Sequence, residues 1–265
     1  MKISKYSILL LMITWTLSAC EKVIDLKLGN KAGDLVIEGN ITDSNSQQLI
    51  KLSTNVPFTN TNTYPPVSGA TVLLSDDQGN SYTLAENANT PGTYGVAPLA
   101  GVSGRSYKMT VVVNGKTHTA TSNLPNAVKL DSVTSRVNEF EKKERDITVH
   151  YQDPMGLGNQ YRFLMFVNDK QVKAVFALND DFNDGKYVHA DLDQNDIKIY
   201  PGDRLRVEMQ CIDKPIYTYW LTLVQQQDSG PGGGVAPSNP PTNISPKTLG
   251  YFSAHTSQVV SVVVR

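Results

Sequence analysis

Tyr107-Lys-Met-Thr-Val-Val-Val-Asn-Gly-Lys-Thr-His-Thr-Ala-Thr121 decides the fold class. Tyr107, Met109, Val111 and Val113 fall on every second position, the period of a strand with one buried face. Asn114-Gly115 then supplies two residues that tolerate positive φ, as a two-residue type I′ turn requires. Lys116 to Thr121 returns as the partner strand, so the stretch reads as a β-hairpin.

The same pattern of short apolar runs and turn residues extends in both directions. Upstream lie Leu35 to Ile41, Leu49 to Leu52, Ala70 to Ser75 and Ser81 to Leu84, with Asp76-Asp-Gln-Gly-Asn80 as turn chemistry. Downstream, strands are expected at Asp131 to Val137, Asp146 to Gln152, Tyr161 to Val167, Gln171 to Leu178, Ile197 to Tyr200, Leu205 to Ile212 and Val259 to Val264. The chain is therefore expected to be mainly β: an N-terminal immunoglobulin- or transthyretin-like β-sandwich over residues 34–125, then a second β-rich domain over 126–265. The cysteine–tryptophan–cysteine core of antibody domains is absent. One helix is expected at about 215–227, where Ile216, Tyr219, Trp220, Leu223 and Val224 recur at three- and four-residue spacing. The stretch 228–243, with its Gly230-Pro-Gly-Gly-Gly run, is too poor in apolar residues to pack and reads as a flexible loop.

The first nineteen residues have the layout of a secretory signal: Lys2 and Lys5, an apolar run from Tyr6 to Leu17, then Ser18 and Ala19. That run is short of the ~20 residues that span a bilayer. Leu17-Ser18-Ala19-Cys20 resembles the lipobox of bacterial lipoproteins, so residues 1–19 are expected to be removed. Cys20 is then the expected lipidation site, carrying palmitate-type acyl chains, with 20–33 as a tether. Each buried methylene of such a chain contributes about 0.8 kcal/mol to membrane attachment. Glu21 stands where an inner-membrane retention signal would place Asp, which points to the outer membrane.

Lys and Arg number 24 against 25 Asp and Glu, a formal charge of −1, and so no basic surface invites nucleic acid. The two cysteines are Cys20 and Cys211; with Cys20 acylated, no internal disulfide forms. Cys211 alternates with Leu205, Val207 and Met209 and is expected on the buried face of a strand.

The residue types that carry chemistry are sparse. Asn179-Asp-Asp-Phe-Asn-Asp-Gly185 is the one stretch with the oxygen ligands calcium takes, through Asp180, Asp181 and Asp184. Phe182 breaks the EF-hand spacing, and a solvated acidic loop is the competing reading. His118, His150, His189 and His255 form no paired zinc spacing. Ser253 and His255 lie close in sequence, but no Gly-x-Ser-x-Gly elbow surrounds a serine. The glycine run lacks the Gly-Lys-Ser/Thr of a phosphate loop. No catalytic residue is assigned, and no cofactor is expected beyond calcium at the acidic stretch.

Several segments in order resemble the Bacteroidota lipoproteins of domain of unknown function 4249. They are Glu21-Lys-Val-Ile-Asp-Leu26, Leu35-Val-Ile-Glu-Gly-Asn-Ile-Thr-Asp43, Pro66-Val-Ser-Gly-Ala-Thr-Val72, Pro91-Gly-Thr-Tyr94, Gly104-Arg-Ser-Tyr107, Asn239-Pro-Pro-Thr-Asn-Ile244 and Leu249-Gly-Tyr-Phe252. The resemblance implies a lipid-anchored outer-membrane protein, periplasmic or cell-surface facing, that accompanies a TonB-dependent receptor in nutrient capture. The expectation is a non-enzymatic binding or accessory component; the alternative is an adhesin or envelope-structural protein at the cell surface.

Overall fold

In the computed structural model the Asn114-Gly115 turn closes as its residues require, with φ of 52° and 72°. The flanking strands pair antiparallel from Ser106↔Asn123 to Val113↔Lys116. The structure describes residues 33–57, 60, 63–227 and 238–265, all within one compact unit, Ala32–Arg265. The signal segment, Cys20, nearly all of the tether and the glycine run of the long loop lie outside the described residues.

The first seven strands are β1 (Leu35–Thr42), β2 (Leu49–Thr54), β3 (Thr71–Asp76), β4 (Ser81–Glu86), β5 (Thr93–Gly95), β6 (Ser106–Val113) and β7 (Lys116–Asn123). They join two late strands, β15 (Ile244–Ser245) and β16 (Leu249–His255), in one sheet of order β15-β7-β6-β3-β4-β5-β2-β1-β16. Alternate side chains point inward, so Ile37, Ile41, Ile50, Leu52, Val72, Leu74, Met109 and Val111 meet in one core, each fully excluded from water. Burial of each such side chain contributes roughly 1.5–3 kcal/mol. The sheet curls until its ends nearly close. Asn243 bridges them: its Nδ2 donates to Phe252 O at 2.7 Å and to Thr121 O at 3.2 Å, while Phe252 N donates to Asn243 Oδ1 at 3.0 Å.

The rest of the chain forms a second core. Strands β8 (Leu130–Val137), β9 (Arg145–Gln152) and β13 (Tyr187–Asp191) make a three-stranded sheet of order β13-β9-β8. The facing sheet orders β11 (Lys170–Gln171), β10 (Gln160–Val167), β14 (Arg204–Ile212) and β17 (Gln258–Val263) as β11-β10-β14-β17, with β12 (Phe176–Asn179) paired to β10. Tyr161, Phe163, Met165, Val207, Met209 and Cys211 pack there against Ile147, Val149 and Tyr151. The Cys211 thiol is buried, and burial raises its pKa, so it behaves as a core atom.

Three sequence expectations need amending. The boundary at 125/126 does not hold for the end of the chain, because β15 and β16 return to the first sheet and β16 pairs parallel with β1 from Val36↔Leu249 to Thr42↔His255. Gln171 to Leu178 is not one strand. It splits into β11 and β12, with the Lys173 amide donated to Asp196 Oδ2 at 2.6 Å between them. Ile197 to Tyr200 is not a strand, since side chains take its backbone groups: Ile197 N donates to Gln194 Oε1 at 2.8 Å and Tyr200 N to Asp203 Oδ2 at 2.7 Å.

The helix α1 (Lys214–Gln227) starts one residue before the expected position. Asp213 precedes it and accepts from Ile216 N at 3.2 Å, while its other oxygen accepts from Ser122 Oγ at 2.8 Å and Asn123 N at 2.9 Å. That one carboxylate caps the helix and ties it to the end of β7. On its inner face Ile216 packs with Ile212 and Tyr251, and the Arg162 guanidinium lies 3.5 Å from the centre of the Trp220 ring. The helix thus fastens β10 of the second core to β16 of the first.

Candidate functional site

Strand β9 ends where Asp153-Pro154 follows Gln152, because proline cannot donate to a ladder. The chain then makes the loop 153–159 before β10. On the neighbouring side, β12 ends at Asn179 and residues 180–186 turn into β13, with Asn183 N and Asp184 N both donating to Asp180 O at 2.8 and 2.9 Å. Carboxylates lock these two loops together. Gly158 N and Asn159 N donate to Asp180 Oδ2 at 2.8 and 2.9 Å, and Gly156 N donates to Asp184 Oδ1 at 2.6 Å. Asp153 accepts from the Tyr161 hydroxyl and, at 3.2 Å, from Gly185 N.

Asp153, Asp180 and Asp184 each bring a carboxylate oxygen within 4.8 Å of the other two. Asp153 and Asp180 are almost wholly buried. Of the three expected calcium ligands, the structure therefore unites Asp180 and Asp184 and leaves out Asp181, whose carboxylate accepts from Asn179 Nδ2 at 2.6 Å. Asp153 takes its place. Three carboxylates supply part of the six to eight oxygens calcium takes, and these three already accept the bonds that hold the loops. Asp153→Ala is expected to cost about 1–3 kcal/mol in urea denaturation, since the buried Tyr161 hydroxyl and the Gly185 amide both lose their acceptor. In thermal unfolding, millimolar calcium that leaves the midpoint unmoved assigns the knot a purely structural role.

Above this knot the loops project apolar side chains into water. Met155 is 90% exposed, Leu157 74% and Phe182 85%. A groove of about 510 Å³ runs beside Phe182, lined also by Leu178, Tyr187, His189 and Tyr217. At the opposite end of β9, Phe140 is 90% exposed on the β8–β9 loop.

The histidines divide into buried and exposed. His118 Nδ1 lies 2.8 Å from Thr248 Oγ1, and burial lowers its pKa. Ser253 Oγ and His255 Nδ1 are 3.0 Å apart, but both residues are about 2% exposed, beyond the reach of a substrate. His150 and His189 do meet, on the outer face of the β13-β9-β8 sheet, which residue spacing did not reveal. Their 39-residue separation becomes a direct cross-strand pair only through the β9–β13 register.

Two β-cores, joined where strand β16 returns to the first sheet beside the helix, with apolar loops pinned by an acidic knot, make up a mainly β protein of β-sandwich type. The chain belongs to the family described as Domain of unknown function (DUF4249), which it matches over residues 21–259. No curated protein sequence matches it significantly. Among solved structures it is similar to a two-fibronectin-type-III-domain segment of chicken tenascin, at 13% identity and TM-score 0.23, over 68% of this chain and 90% of that one. It is also similar to the Yersinia pseudotuberculosis adhesin InvE, at 15% identity and TM-score 0.23, over 69% and 57%.

Proposed function

We propose that this chain is a non-enzymatic, lipid-anchored accessory protein of the Bacteroidota outer membrane that docks a protein partner through the loops 153–159 and 180–186. The observation that carries the reading is the exposure of Met155, Leu157 and Phe182 on loops that the acidic knot holds in place. Large apolar side chains held in water contribute nothing to the fold, whereas a partner that covers them gains their burial. Acylation at Cys20 would hold the chain at the membrane surface, and the partner class implied by the family resemblance is a TonB-dependent receptor engaged in nutrient capture.

The test is an affinity capture from gently solubilised membranes with a C-terminal tag. The wild-type chain is expected to retain a stoichiometric TonB-dependent receptor, and the triple variant Met155→Ser, Leu157→Ser, Phe182→Ser to lose at least about tenfold of it, a change of about 1.4 kcal/mol. In parallel, Cys20→Ala is expected to abolish incorporation of labelled palmitate. Equal capture by the triple variant would remove the loops from the reading. Recovery of the chain alone, with a deletion strain losing adhesion and keeping nutrient-dependent growth, would replace it with the adhesin alternative.

A further inference from the structure

The outer face of the β13-β9-β8 sheet places a histidine pair where two adjacent strands present side chains in the same direction. His150 on β9 is directly opposite His189 on β13. Their Nδ1 atoms are 2.7 Å apart, and the rings meet edge to face with centres at 4.9 Å. A third strand contributes to the arrangement, for Thr134 Oγ1 on β8 lies 2.7 Å from His150 Nε2. The Tyr187 ring packs edge-on against His189, with centres at 5.1 Å. Two residues further along, on the same face, Asp191 accepts from Thr148 Oγ1 at 2.6 Å and pairs with Arg136 at 2.8 Å.

These contacts constrain the protons. Two facing ring nitrogens can share only one. When His150 Nε2–H donates to Thr134, the His150 Nδ1 lone pair points at His189. An outer hydrogen bond of this sort on the second ring nitrogen is how metal-ligating histidines are oriented and made more basic donors. Burial and the neighbouring His189 lower the pKa of His150, against a smaller opposing effect of Asp191. Once the proton shared between them is released on metal binding, two imidazoles whose Nδ1 atoms face each other form a donor set for late first-row divalent metals. A tetrahedral ion with metal–nitrogen bonds of about 2.0–2.1 Å needs its two nitrogens roughly 3.3 Å apart. A small rotation of the exposed His189 ring supplies that opening. His189 also lines the 510 Å³ groove, which gives an ion access from solvent.

We propose that His150 and His189 form a surface chelate for a divalent transition-metal ion of the zinc, nickel or copper class. Thr134 acts as the positioning residue for His150, and water completes the coordination. The site is separate from the acidic knot and independent of the docking reading above, since it uses none of Asp153, Asp180, Asp184, Met155, Leu157 or Phe182.

The experiment is calorimetric titration of the full-length chain, free of any polyhistidine tag, with Zn²⁺ and with Ni²⁺, alongside electron paramagnetic resonance with Cu²⁺. One ion per chain is expected, held by two imidazoles and water. His150→Ala and His189→Ala, at a half-buried and an exposed position of the outer sheet face, are each expected to weaken binding at least about tenfold. Each should also reduce the copper spectrum from two coupled nitrogens to one. Thr134→Val is expected to weaken binding about tenfold while keeping two nitrogens, the mark of an orienting group. Phe140→Ser, at an exposed position beyond the opposite end of β9, should leave the affinity unchanged. Unchanged affinity in both histidine variants would place the ion elsewhere and overturn the assignment. Absence of binding and of nitrogen coupling at about millimolar metal would overturn it as well.

Discussion

Gly250→Ala is expected to destabilise the protein by about 4 kcal/mol or more, beyond the usual range of single substitutions. Two observations combine. The backbone at Gly250 has φ +95°, a conformation that side-chain-bearing residues rarely adopt. A Cβ built there would also lie 2.0 Å from Ile37 O and 2.8 Å from Ile37 C, inside any real contact distance. Ile37 is the register partner of Gly250 in the parallel β1–β16 ladder, so nothing flexible can give way. The strands must separate where Phe252 fills the first core, fully buried, with its ring over Gly39. Urea denaturation should show a large drop in midpoint or no folded protein at all. A loss below about 1 kcal/mol would mean that β16 does not pair as described.

Acid lability tied to His255 is the second large effect. His255 is buried, and that burial, with the nearby positive charge of Arg162, pushes its pKa down to about 3 from the ordinary 6.5. The folded state therefore keeps the ring neutral, while the unfolded chain takes up a proton below pH 6.5. Stability from this group is whole above pH 6.5 and is lost as the pH falls from 6.5 towards 3, at about 1.4 kcal/mol per pH unit. Between pH 6.5 and 4.5 the loss is roughly 2 kcal/mol. His255→Gln cannot take up that proton. The stability difference between wild type and variant should shift by this amount in favour of the variant over the same interval. Parallel pH profiles for the two proteins would show that His255 does not titrate on unfolding.

Local signals made most of the fold legible. Asn114-Gly115 specifies its own turn, and β1, β6 and β10 each bury one face at a period of two, as β14 does up to Met209. Strand β16 carries no such signal. Five consecutive residues, Tyr251 to His255, are buried, because the strand lies between the first sheet and the helix side of the second core. Its partner is more than 200 residues away in sequence. Strand β5 has only three residues, too few for any period to show.

The candidate sites follow the same division. Asp180 and Asp184 stand out by composition, while Asp153 sits in Gln152-Asp-Pro154, which reads as the end of a strand. Asp181 is adjacent to a true member of the knot, but neighbours in a turn point in different directions, and Asn179 holds it aside. Metal motifs read from sequence rely on short spacings along one element. A sheet instead brings His150 and His189 together by register, which depends on the entire second core forming.

The return of Leu249–His255 to Val36–Thr42 also sets a timetable for biosynthesis. The strand that finishes the first sheet is made more than 200 residues after its partner, so the nascent amino-terminal segment waits with β1 as a bare edge. Closing a loop of that length is slow, and an unpaired edge recruits other chains while it waits. The hazard for this protein lies in the interval before completion, when a chain ending short of residue 249 resembles one merely delayed.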